Sequence, residues 1–209
     1  MPKKLSNLIA VLADVLKMPE TTIEAYAKPL RKNGLISSGG RGPGSADMTP
    51  KDCSNLLIAC MAGSPAQAVE NLNAFSCAEK FLAFSRQQAV VGQKLLTYQV
   101  TFGRAVEQII TASANSNTDD VLRKIFIQSK VASKDTAINP HIEISITTPI
   151  TSAQISLQAI DVLNLDNIED VNFYFSTPIP DKTDDYSDKY VTVTVGRKTI
   201  SALGKLLAE

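Results

Sequence analysis

Residues 21–49 read TTIEAYAKPLRKNGLISSGGRGPGSADMT, a helix-like run that closes on Asn-Gly, passes through two apolar residues and then turns into glycines around one arginine. In the first half, Ile23, Tyr26, Ala27 and Leu30 recur at three- and four-residue spacing and share one face of a helix. Thr21, Ala25, Lys28 and Lys32 fall on the opposite face, with Glu24 beside them. Pro19 and Glu20 suit the first turn of that helix, where a missing N–H costs nothing and a carboxylate meets the positive end of the dipole. Gly34 supplies the left-handed residue that closes a helix. Pro29 removes the hydrogen bond to Ala25 and predicts a kink.

Working outward, Leu5, Leu8, Ile9, Leu12, Val15 and Leu16 form the apolar stripe of an earlier helix over about 3–17, ended by Met18-Pro19. Downstream, Leu35-Ile36 reads as a short strand, SSGGRGPGS as a flexible hairpin and Ala46 to Met48 as its return arm. Thr49-Pro50-Lys51-Asp52 is a helix start with cap, first-position proline and first-turn carboxylate. That helix should run to Gly63, and Ser64-Pro65 begins another. Residues 1–75 are therefore expected to form helix, helix, hairpin, helix, helix.

Taken as a unit, LADVLKMPETTIEAYAKPLRKNGLISSGGRG resembles the winged helix-turn-helix of bacterial transcriptional regulators, phage and prophage regulators among them. The residues that carry the likeness are Leu12-Ala13, Leu16, Thr22-Ile23, Leu30 and Gly34-Leu35-Ile36. The resemblance covers about 8–49 and implies a recognition helix at about 20–33 lying in the major groove, with a wing at 37–48 reaching the minor groove. Its outward face would bring Thr21, Glu24, Ala25, Lys28 and Lys32 to base edges and phosphates. On the wing side, Ser38 and Arg41 would meet the backbone and the narrow minor groove, while Gly39, Gly40, Gly42 and Gly44 let main chain approach phosphates. The helix from about 49 to 62, or a partner subunit, should complete the module's core. Two or three phosphate-reaching cations bind weakly at physiological salt, so the resemblance also implies a homodimer on double-stranded DNA.

From 76 to 114 the sequence stays helix-compatible, with Thr101 as a cap, and Asn115 to Asp120 reads as a polar break. Beyond it the period changes to two: Ile142, Ile144 and Ile146, then Ala153, Ile155 and Leu157, then Val171, Phe173 and Phe175, then Val191, Val193 and Val195 alternate with polar neighbours. A closing helix at about 198–208 should bury Ile200, Leu203 and Leu207. The expectation is an α+β chain: a winged helix-turn-helix domain at 1–75, then an α+β domain at 76–209 with about four strands, serving dimerisation or a partner or effector.

Composition narrows the function classes. The charges cancel over 209 residues, yet the first 60 carry eight Lys/Arg against five Asp/Glu and the last 49 carry five against nine. Such asymmetry suits a basic head on an anionic partner. With one histidine, His141, histidine triads and multi-histidine metal sites are almost excluded; Cys53, Cys60 and Cys77 form neither a CxxC pair nor a disulfide framework. The glycine run lacks the Gly-Lys-Ser/Thr ending of a phosphate-binding loop, and GRKT at 196–199 lacks the upstream glycine, leaving Arg197 and Lys198 as a weak anion site. Asp181, Asp184, Asp185 and Asp188 lack the spacing and turn glycine of a calcium loop. No cofactor, metal or catalytic residue is expected, and with no long apolar run the chain should be soluble, unprocessed and cytoplasmic. The rival reading is a protein-binding adaptor that uses a winged helix for assembly; a weaker one is a sensor or enzyme with its site in the C-terminal sheet.

Overall fold

The computed structural model describes residues 3–39, 44–81, 100–128, 137–161, 167–177 and 190–208. Among these the chain is α+β. Its helices are α1 (Leu5–Leu16), α2 (Glu20–Lys32), α3 (Pro50–Met61), α4 (Ala68–Ser76), α5 (Phe102–Asn115), α6 (Thr118–Gln128) and α7 (Arg197–Ala208). Five strands form one antiparallel sheet: β1 (Glu79–Phe81), β2 (Ile138–Thr148), β3 (Ser152–Asp161), β4 (Asn167–Ser176) and β5 (Val191–Gly196), in the order β1-β4-β3-β2-β5.

The middle of the helical part is α3, whose residues 52–61 are all buried. A helix apolar nearly all round must lie inside, and its polar residues then need partners. Each has one: Asn55 Nδ2 donates to the Leu35 carbonyl at 2.7 Å, Ser54 Oγ to the Gly103 carbonyl at 3.2 Å, and Asp52 accepts from Thr49 and Ser37. Helices α2, α4 and α5 pack around α3, and α1 lies on α7. The boundary expected near residue 75 falls inside α4, and buried side chains from both sides of it join one cluster.

The four strands read from alternation are present. Ile142, Ile144 and Ile146 of β2, Ala153, Ile155 and Leu157 of β3, and Phe173 and Phe175 of β4 are buried on the helix side. Phe102 of α5 meets Phe175 at a centroid distance of 5.3 Å. The opposite face is polar, with Ser145 to Thr194 at 2.8 Å, Thr147 to Thr192 at 2.9 Å and Gln154 to Asn172 at 2.8 Å across neighbouring strands. That one-sided burial is what period-two alternation encodes.

Two elements were not anticipated. β1 lies in the stretch read as helical, pairing with β4. The polar run 115–120 is mostly helical: α5 runs to Asn115, only Ser116 and Asn117 intervene, and α6 begins at Thr118 with Asp119 and Asp120 in its first turn. Thr118 is buried there and joins Ser113 and Ser201 in a hydroxyl chain.

The cysteines offer a check on this packing. Burial pushes the Cys53 and Cys60 thiols up to about 12, for Cys53 with help from the Asp52 charge, whereas Cys77 is exposed. Since the thiolate is the reactive form, one fast thiol is expected with an aromatic disulfide reagent at pH 8 in native protein, and three after denaturation. Two or three fast thiols in native protein would contradict a buried α3.

Candidate nucleic-acid interface

Helix α1 hands the chain to α2 through a tight turn. Lys17 takes a left-handed φ of 55°, and the Met18 N–H reaches back to the Ala13 carbonyl at 3.1 Å. Only Lys17, Met18 and Pro19 separate α1 from α2. Ile23, Tyr26, Ala27 and Leu30 are buried as the periodicity predicted, and Tyr26 donates from its hydroxyl to the Gly63 carbonyl after α3. Those anchors fix the rotation of α2 about its axis. Pro29 does not end the helix, which runs to Lys32; the Ala25 residue whose carbonyl it leaves unpaired is on the solvent side.

The rotation leaves Thr21, Glu24, Ala25, Lys28, Arg31 and Lys32 exposed. All five helix residues named from the sequence are thus on one open face, and Ser38 is exposed beyond its end. Lys28, Arg31, Lys32 and Ser38 line a shallow depression of about 320 Å³. None of the three cations forms an ion pair with a described residue, whereas Lys4 is held by Asp47 at 2.9 Å and Lys17 by Asp14 at 2.8 Å. The Lys4 ammonium beside Asp47 also holds that carboxyl below its usual range. Arg31 was missed. Its place three residues after Lys28, on the same face, was the signal that could have found it.

The end of α2 departs from the expected wing. Gly34 has a φ of 67°; its N–H bonds to the Arg31 carbonyl at 3.1 Å, and the Leu35 N–H to the Leu30 carbonyl at 2.9 Å. This pair of bonds is a Schellman closure, with Leu35 and Leu30 as its apolar contact. It corrects the strand expected at Leu35-Ile36. The Leu35 N–H is used in the closure, its carbonyl is taken by Asn55, and the Ser37 N–H goes to Asp52 at 2.7 Å, so no ladder can form there. Residues 46–48 are likewise not a strand; the Met48 N–H bonds to the Lys3 carbonyl at 2.6 Å, and Lys4 reaches Ser45 and Asp47. Gly40, Arg41 and Gly42 lie outside the described residues.

Two of the other residues weighed from the sequence, Arg197 and His141, have ordinary contacts. Arg197 donates to Asp119 at 3.1 Å, to Asn139 at 3.2 Å and to the Pro140 carbonyl at 3.3 Å, so its guanidinium already serves α6 and β2. His141 sits 3.1 Å from Glu143 on the polar sheet face. Asp181, Asp184, Asp185 and Asp188 lie outside the described residues. No helix among the described residues is long and apolar enough to cross a membrane. Compared with protein-family models, curated proteins and solved structures, the chain matches none.

Proposed function

We propose that this chain is a cytoplasmic, sequence-specific DNA-binding transcriptional regulator that acts as a homodimer, with α2 in the major groove and residues 37–48 as a wing toward the minor groove. The observation that carries the reading is the exposed face of α2. A helix seated on a core by four buried residues offers Thr21, Glu24, Ala25, Lys28 and Lys32 outward, with three cations in its last two turns that form no ion pair with a described residue. Cations at a helix C-terminus also favour the helix dipole, by about 0.3–1 kcal/mol each. That stabilisation accounts for charge near the end of α2, but not for a third cation, Lys28, on the same open stripe as Arg31 and Lys32.

The three have different jobs. Lys28 faces base edges, so Lys28→Ala should cost on the order of 1–3 kcal/mol and relax preference at one position of the site. Lys32 and Arg31, near the helix end beside Ser38, meet phosphates, where the guanidinium of Arg31 can bind two oxygens at once. Lys32→Ala and Arg31→Ala should each weaken binding to all sequences alike and lower the magnitude of the salt slope by roughly one unit. Arg41→Ala should hurt A·T-flanked sites more than G·C-flanked ones, as a minor-groove arginine requires. The measurement is selection of bound sequences from random duplex DNA at two salt concentrations, followed by titration of the single variants. Unchanged duplex binding by all four folded variants would sink the proposal.

The alternative, a protein-binding adaptor, is favoured by one feature: Glu20 and Glu24 stand exposed at the start of α2 and repel a phosphate backbone. On that reading Glu24→Lys abolishes partner capture, while on the DNA reading it tightens non-specific duplex binding.

A further inference from the structure

The two edges of the sheet are built differently. β1 is three residues long, carries Glu79 and Lys80, and its outer side is met by Thr101 through a bridge at Glu79. β5 is six residues long, and among the described residues nothing pairs with its outer side. Edge strands are normally guarded by charge, proline, a bulge or a covering segment. From Tyr190 to Gly196 the sequence is YVTVTVG, with no charge and no proline, and its pairing with β2 runs from Thr148↔Val191 to Glu143↔Gly196 without a shift. Tyr190 and Val191, at 54% and 48% exposure, are the two exposed large apolar side chains among the described residues.

Beside this edge lies a groove of about 320 Å³. Val15, Leu16 and Met18 line it from α1 and the turn after it, Cys60 and Met61 from α3, and β5 forms its other wall through Val193 and Val195. Alternation puts Val191, Val193 and Val195 on the sheet face that bears the groove, opposite the side of Thr192 and Thr194. A strand added to this edge would therefore place every second side chain beside a groove whose lining combines these apolar residues with Thr194, Lys198 and Thr199.

We infer that the strand added there is β5 of a second copy of this chain, paired antiparallel about a two-fold axis near Val193, joining two five-stranded sheets into one. A two-fold contact needs a surface that matches itself. β5 does, because an uncharged segment can lie against its own copy without like-charge repulsion, and its valines recur on one face. With the axis at Val193, Val191 of each copy lies opposite Val195 of the other, so the exposed valine is covered and both grooves are filled by one contact. The contact is small beside ordinary stable interfaces, which bury roughly 1,200–2,000 Å², and so a dissociation constant on the order of micromolar is expected.

The pairing does not rest on DNA binding by α2, and its test reads mass rather than DNA. Thr192 and Thr194 are exposed on the polar face and lie opposite one another across the axis. Full-length protein should sediment as a dimer at about 50 micromolar, on the scale set by that affinity. The double variant Thr192→Lys/Thr194→Lys and the double variant Thr192→Glu/Thr194→Glu should each be folded monomers, and an equal mixture of the two should restore the dimer. In unaltered protein, exchange of the amides at 191–196 should slow as concentration rises through the transition. A monomeric parent, dimers that survive in either charged variant, failure of the mixture to associate, or exchange at 191–196 that ignores concentration each overturns the inference. The exchange measurement needs no substitution, so it stands even if a charged variant fails to fold.

Discussion

Gly204→Val is expected to destabilise the protein by about 3 kcal/mol or more, lowering the melting temperature by roughly 6–12 °C on the scale for a domain of this size. Gly204 is buried in α7 where that helix crosses α5. A Cβ built there would stand 2.7 Å from both the carbonyl carbon and oxygen of Ser113, and 2.8 Å from the Ser113 Cβ. Backbone cannot rotate aside as a side chain can, so the two helices would have to separate. Helix propensity pulls the other way, since alanine in a helix interior is favoured over glycine by about 0.8–1 kcal/mol. Gly204→Ala should therefore fall between wild type and Gly204→Val, and a gain in stability for it would show that the crossing is looser than described. Gly196→Ala is the control: its Cβ would lie 3.6 Å from the Ile142 carbonyl oxygen, an ordinary contact, so a change within about 0.5 kcal/mol is expected. Thermal unfolding of the three variants decides the matter.

Asp52→Ala should cost about 2–4 kcal/mol. Its carboxylate completes a capping box with Thr49, accepting from the Thr49 N–H and hydroxyl at 2.7 Å each while the Asp52 N–H donates to Thr49 Oγ1 at 3.2 Å. The other oxygen accepts from the Ser37 N–H at 2.7 Å, so one side chain starts α3 and pins the segment that leaves α2. Alanine would remove the cap and leave the part-buried Ser37 N–H and the Thr49 N–H and hydroxyl without this acceptor. Asp52→Asn keeps one acceptor oxygen but turns an amide N–H₂ toward one of the donors, so an intermediate loss is expected. Urea unfolding measures both; a loss under 1 kcal/mol for alanine would mean that the Ser37 segment is not held by α3. Because Ser38 neighbours that segment, Asp52→Ala should also weaken any ligand bound at the end of α2, although it touches none.

Local chemistry was legible in the sequence where one residue type has one physical use. Thr49-Pro50-x-Asp52 starts α3, Gly34 takes its positive φ, the alternations around Ile144, Ile155 and Phe173 are strands with one buried face, and that around Val193 is a strand that buries Val195. The exposed side of α2 was also readable, since a 3.6-residue period that buries Ile23, Tyr26, Ala27 and Leu30 leaves Thr21, Glu24, Ala25, Lys28 and Lys32 no place but solvent. Arg31, three residues after Lys28, belongs to the same exposed stripe by that period.

What the sequence could not decide were features fixed by distant partners. Leu35-Ile36 has strand-like composition, yet the Schellman bonds to Leu30 and Arg31 and the side chains of Asn55 and Asp52 use its backbone groups, and those partners are known only once α3 is seated. The brevity of the polar run before Thr118 depends on α6 finding β2 and α7 to pack on. Glycine at 204 looks like a weakness in a helix until the Ser113 backbone is found against it. Which end of the sheet is open among the described residues follows from strand order: YVTVTVG reads alike as a central or an edge strand, and only the placing of β5 beyond β2, with the groove under α1 beside it, leaves its outer side without a described partner. Sequence determines periodicity and caps because they act over a few residues, whereas edges, crossings and the use of a loop's backbone are set by contacts between segments far apart along the chain.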